Sequence, residues 1–187
     1  MFYIDIEKCN GCLDCVVACN REKYKDGFPD IGLAVPELGQ YLMRIESYTY
    51  GPLYNLKKVY VPKLCMQCRN APCAQVCPVD AFSVVENGIV ELDSGKCIGC
   101  RMCVYACPYS TVFYNKESGV VEKCDWCGSA GSECEGQPAC VRACERAALR
   151  FVADEVMTPA PEGYEPILPE EGMKPEIFYK NIPEELS

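Results

Sequence analysis

The 187-residue chain contains no histidine. That absence removes the side chain most often used as a general base near neutral pH. It also removes imidazole as a metal ligand, and with it Rieske-type ligation. Long apolar runs are missing too, since none approaches the roughly 18 residues a membrane-crossing helix needs. The N-terminus, "MFYIDIEKCNGC", has no basic region, no apolar stretch and no twin-arginine pair. The expectation is a cytoplasmic chain, or one exported folded on a partner's twin-arginine signal. No Gly-rich phosphate loop and no nucleophile–base pair stands out, so the chain is not expected to be catalytic by itself. A basic footprint is lacking as well. The net charge is −9, and residues 154–187, with nine Asp/Glu against two Lys, carry −7 of it. The remaining body is nearly neutral, which argues against a nucleic-acid partner.

What the chain has instead is cysteine, 17 residues of it. A chain this rich in Cys is held together by disulfides or by metal. The odd count and the absence of a secretory leader favour metal. Without histidine, ligation rests on thiolate, which suits zinc and iron–sulfur clusters. Four groups are visible. The first is "CNGCLDCVVAC" (Cys9, Cys12, Cys15, Cys19). The second is "CMQCRNAPCAQVCP" (Cys65, Cys68, Cys73, Cys77). The third is "CIGCRMCVYACP" (Cys97, Cys100, Cys103, Cys107). The fourth, "CDWCGSAGSECEGQPACVRAC", holds five: Cys124, Cys127, Cys134, Cys140 and Cys144.

The first and third groups have the spacing C-x2-C-x2-C-x3-C, the bacterial ferredoxin run for [4Fe–4S] clusters. Three cysteines on a tight loop reach three corners of one cubane. A short helix then turns the fourth toward a neighbouring cluster. Zinc ribbons use two CxxC pairs and need no such fourth residue, although the looser fourth group leaves a zinc reading open there.

Chain length suggests the pairing. Residues 65–107 span about one small two-cluster ferredoxin, so the second and third groups exchange fourth ligands. Cluster C is then Cys65, Cys68, Cys73 and Cys107. Cluster D is Cys77, Cys97, Cys100 and Cys103. The first and fourth groups are left to each other. Cluster A is Cys9, Cys12, Cys15 and Cys144, and cluster B is Cys19, Cys124, Cys127 and Cys140. Pairing of consecutive groups is the rival arrangement. Cys134 is surplus and is expected not to be a ligand, because "PACVRAC" supplies the x3 pair seen elsewhere.

The fold expected is α+β: two bacterial-type two-cluster ferredoxin modules of small βαβ-like repeats with short hairpins, plus an extended C-terminal arm. "CPVDAFSVVENGIVELD" and "CPYSTVFYNKESGVVEKC" repeat a strand, a Gly-containing turn and a second strand. "CERAALRFVADE" matches the first half of that unit. The outer module takes residues 1–19 and 108–153, the inner one 65–107. Residues 20–64 form a β-rich insertion, with "YLMRIESYTY" and "LKKVYV" as strands about Gly51-Pro52. Short helices follow Cys12, Cys100 and Cys140, and Val16, Val17, Val104 and Tyr105 are expected to wrap the metal sites. Residues 154–187 hold six prolines, which excludes a long helix. Ile167, Leu168, Ile177, Phe178 and Tyr179 in that stretch suggest an acidic arm that docks on a partner. Lys8, Lys96 and Lys123 each precede the first Cys of a group, where a positive charge would favour a reduced cluster; a solvated side chain is the alternative reading.

These motifs resemble the four-cluster iron–sulfur subunit of molybdopterin oxidoreductases in the dimethyl sulfoxide reductase superfamily. The segments "IDIEKCNGCLDCVVAC", "CMQCRNAPCAQVCPVDA", "GIVELDSGKCIGCRMCVYACPY", "KCDWC" with "PACVRAC", and "PEEGMKPEIFYKN" carry the likeness. It implies the crossed pairing above and four [4Fe–4S] clusters. It also implies a large catalytic subunit holding molybdenum or tungsten on a bis-pterin, with a further electron-transfer or membrane-anchor subunit as an additional partner. The chain departs from the family at Glu145, where Pro is typical, and this puts the local turn in question. A polyferredoxin module serving a hydrogenase, carbon monoxide dehydrogenase or tungsten aldehyde oxidoreductase, or stacking into a filament, is the alternative function.

Overall fold

A computed structural model describes residues 1–24, 41–85, 88–128, 134, 136–153, 160–167 and 173–184. The expectations for residues 25–40 of the insertion, Glu86-Asn87 of the first hairpin turn, most of the "GSAGSECEGQ" loop and Leu168 lie outside them. The chain is α+β. Strand β1 (Phe2–Asp5) leads through a 3-10 turn at Ile6–Lys8 and the first cysteine loop into helix α1 (Asp14–Lys23). β2 (Met43–Tyr50) and β3 (Lys57–Leu64) form the expected antiparallel hairpin, turning at Gly51, whose φ is +95°. Then α2 (Pro72–Gln75) precedes hairpin β4 (Phe82–Val84) and β5 (Val90–Leu92). The unit recurs as α3 (Met102–Ala106), β6 (Val112–Tyr114) and β7 (Val121–Lys123).

A third copy begins with α4 (Ala139–Arg142) and β8 (Leu149–Phe151) but, among the described residues, has no second strand of its own. β1 takes that place, pairing antiparallel with β8 (Phe2 opposite Phe151). The start of the chain thereby completes the last repeat. α1 packs on α4, and α2 on α3.

Part of the C-terminal segment is built into the fold. β9 (Tyr164–Glu165) and β10 (Ile177–Lys180) join β8 and β1 in a four-stranded sheet, in the order β8-β1-β10-β9, with β10 parallel to β1. Ile177 and Tyr179 are fully buried against Phe2 and Ile4, so the chain's own core covers them. The Tyr179 hydroxyl donates to the Pro62 carbonyl at 2.9 Å. The same segment straps the second cysteine loop. Arg69 N donates to Lys174 O, Asn70 N to Met173 O and Glu176 N to Met66 O, and the Arg69 guanidinium pairs with Glu176.

The insertion hairpin also reaches the cysteine groups. Arg44 donates to the carbonyls of Tyr109 and Ser110, just past Cys107. Its neighbour Glu46 is raised by burial, but hydrogen bonds from Lys63, Tyr48 and Arg44 outweigh this and hold its carboxyl down at about 2.

Candidate metal centres

Each cysteine loop is built on one backbone device. The residue before the second cysteine has positive φ in all four groups: Gly11 (+74°), Gln67 (+47°), Gly99 (+67°) and Trp126 (+57°). Such a left-handed residue curls the chain and turns successive N–H groups into a concavity that favours anions. In the first and third groups a second one follows, Leu13 (+70°) and Arg101 (+65°), and launches the helix. Glycine is required where neighbours press. A Cβ on Gly99 would stand 2.2 Å from the Gly119 carbonyl, and one on Gly11 would stand 2.5 Å from the Tyr60 ring.

The fourth cysteines leave by one turn. Asp80, Ser110 and Ala147, each three residues beyond, have φ of +46°, +50° and +49°. Glu145 therefore stands where proline stands in the other two groups without changing the turn, and Ala147 N still donates to Cys144 O at 2.9 Å. After Cys19 there is no such turn, and α1 runs four residues further.

Electrostatic neighbours among the thiols cross these groups. Cys15 sits in the field of Cys9, Cys144 and Cys12. Cys140 feels Cys19 and Cys127, and Cys124 feels Cys19 and Cys140. Cys68 feels Cys65, Cys107 and Cys73. Cys103 feels Cys100, Cys97 and Cys77. Three further neighbours link one set to the next: Cys140 to Cys15, Cys124 to Cys65, and Cys73 to Cys103. These links run from the thiols of A through those of B and C to those of D.

Burial pushes the thiols of Cys15, Cys19, Cys68 and Cys73 up to about 12, and those of Cys124 and Cys140 well above their usual value. At neutral pH they are protonated, so taking up a metal expels protons. Backbone N–H groups already aim at sulfur, as with Trp126 N to Cys124 at 3.4 Å and Ala81 N to Cys77 at 3.3 Å.

The thiols of set C, Cys65, Cys68, Cys73 and Cys107, line one pocket, with Val90 and Val112 among its apolar walls. Among the described residues, no three Cys, Asp or Glu side chains converge closely enough for a single metal ion. Cys134 is buried beside set B. Its sulfur accepts from Arg142 Nη2 at 3.8 Å and shares a hydrogen bond with Cys127.

Val16 and Val104 pack on the core as expected, but Val17 and Tyr105 do not wrap a site. They are 43% and 85% exposed, because each points off the free face of its helix. Sequence reading missed Gln67, which is wholly buried inside the second loop. Its Nε2 donates to the Cys124 carbonyl at 2.6 Å, and its Oε1 accepts from Val90 N at 2.8 Å. Nothing local to "CMQC" signals that role.

A family model described as a 4Fe-4S dicluster domain matches residues 56–154. The chain is 36% identical over 148 residues to the thiosulfate reductase electron transfer subunit of Salmonella typhi, covering 79% of this chain and 72% of that one. It is 32% identical over 188 residues to a tetrathionate reductase subunit of Salmonella typhimurium, covering 96% and 71%. A probable anaerobic dimethyl sulfoxide reductase chain of Escherichia coli is 39% identical over 158 residues, covering 80% and 71%. The chain thus belongs to the 4Fe-4S dicluster family, as a non-catalytic, electron-transferring iron–sulfur subunit of the dimethyl sulfoxide reductase type.

Proposed function

We propose that this chain holds four [4Fe–4S] clusters in sets A to D and relays electrons to or from a molybdenum- or tungsten-bearing bis-pterin subunit. Sixteen of its 17 cysteines are the ligands and Cys134 is not. Sets A and B belong to an outer two-cluster module, residues 1–19 with 108–153, and sets C and D to an inner one, residues 65–107. The observation that carries the reading is the crossing itself. Cys144 lies with Cys9, Cys12 and Cys15, far from it in sequence, and Cys19 lies with Cys124 and Cys140.

The donor chemistry fits the group. All four sets are thiol-only, and the four thiols of set C line one pocket. The buried indole N–H of Trp126, between Cys124 and Cys127, has no acceptor among the described residues, and cluster sulfide is an acceptor of that kind. When bound, a cubane takes up and gives back single electrons at a potential set by its surroundings. The chain's residues hold the sulfurs, direct N–H groups at them and exclude water from sets B and C. Cys12 and Cys100, the exposed ligands of sets A and D, mark the two ends where electrons enter and leave.

Anaerobic purification of the native complex tests this. A brown protein is expected, with iron and sulfide for four cubanes and a large subunit carrying pterin with Mo or W. A colourless, zinc-containing protein would overturn the cluster reading. Isolation with a pterin-free hydrogenase or dehydrogenase would overturn the partner.

A further inference from the structure

Three lysines look alike in the sequence, each standing before the first cysteine of its group. The fold separates them. The Lys8 and Lys96 side chains are 55% and 60% exposed, and each faces an aspartate three residues back, Asp5 at 3.6 Å and Asp93 at 3.7 Å. Lys123 is buried, 6% exposed.

Its ammonium has three N–H donors and meets three oxygens: the Val90 carbonyl, the Cys124 carbonyl at 2.8 Å and Gln67 Oε1 at 3.4 Å. All three are neutral, and among the described residues Lys123 makes no ion pair. Gln67 braces two of these groups as well, through its bonds to Val90 N and Cys124 O. This cage satisfies the donors without neutralising the charge. A buried ammonium needs negative charge nearby, or burial disfavours its charged form. Cluster-bound thiolate would supply it. Lys123 acts on the Cys73 thiol of set C, and its own chain neighbour is Cys124 of set B.

We propose that Lys123, held by Gln67, is a fixed positive charge shared by the two middle sites, B and C, and raises the reduction potential of both. The proposal rests on the four-cluster reading above. An added electron makes a thiolate-ligated cluster more negative, and burial opposes that change. A cation in the same low-dielectric region favours it. Water and the aspartates screen Lys8 and Lys96, so the outer sites gain little from them. Lys123 touches no reacting atom, so it is a tuning residue.

Redox titration of the native complex, followed by EPR and paired with iron analysis, tests the role. Lys123→Met removes the charge. Gln67→Glu keeps the size and places a carboxylate on the ammonium, giving up the Nε2 bond to the Cys124 carbonyl, and Lys96→Met serves as the exposed control. The expected result is full iron in every variant, two clusters lowered in potential by both Lys123→Met and Gln67→Glu, and no shift in Lys96→Met. Unmoved potentials at full iron would overturn the proposal, as would a shift confined to one cluster. Loss of iron in both variants would make Lys123 a structural plug and overturn it too. Fewer than four clusters in the unaltered protein would instead refute the reading beneath it.

Discussion

The second and third cysteine groups share a loop, a short helix, an exit turn and a hairpin, yet one is sealed and the other open. Cys65, Cys68 and Cys73 are all buried, whereas Cys100 is exposed and Cys97 half-buried. The C-terminal segment, Gln67 and the insertion hairpin cover the second group. Nothing comparable among the described residues covers the third, where Ile98, Met102 and Tyr105 face outward. The same contrast separates the fourth group from the first, with Cys124 and Cys140 buried and Cys12 exposed. Spacing sets which thiols gather, and the elements packed around them set which sites are interior and which are terminal.

Perturbing the cover of the sealed site has the largest expected effect. Tyr179→Ala empties a fully buried position between β10 and the Pro62 carbonyl, at a cost of about 3–5 kcal/mol. Iron loss on heating, followed by visible absorption, should come at lower temperature and begin with an interior cluster. At the open site the loop itself is the weak point. Gly99→Ala combines left-handed strain with a clash against backbone at Gly119, for about 2–4 kcal/mol in all. Gly119→Ala has the same sign of φ but open space, and should cost about 1–2 kcal/mol, so the difference between them measures the clash.

Smaller effects sharpen the contrast. Tyr105→Ser, on the open face, should leave stability within about 0.5 kcal/mol and every cluster in place. Cys134→Ser, beside the sealed site B, should leave iron content unchanged. Loss of one cluster would make Cys134 a ligand in place of Cys127 or Cys140.

Much of this contrast was hidden in the sequence. Cysteine spacing and the hairpins β2–β3, β4–β5 and β6–β7 were legible because they are local. The covering of the sites was not. Val104 and Tyr105 are adjacent and apolar, and one turns in while the other turns out. The acidic, proline-rich C-terminal segment reads as a docking arm, but β10 finds its partner in β1, at the other end of the chain. No local pattern announces so distant a parallel pairing. Lys123 could not be told from Lys8 or Lys96 for the same reason, since its cage comes from Gln67 and Val90, far away in sequence. Gln67 and Trp126 adopt the left-handed turn that glycine marks in the other two loops, so that turn too was half visible.

The crossed pairing of thiols is the central claim, and the iron content of two double variants tests it most directly. Cys12→Ala with Cys144→Ala removes two ligands of one set and should cost one cluster. Cys140→Ala with Cys144→Ala removes neighbours in sequence that belong to different sets and should cost two. Were each cysteine group a self-contained site, the losses would be reversed: two clusters from the first pair of changes and one from the second.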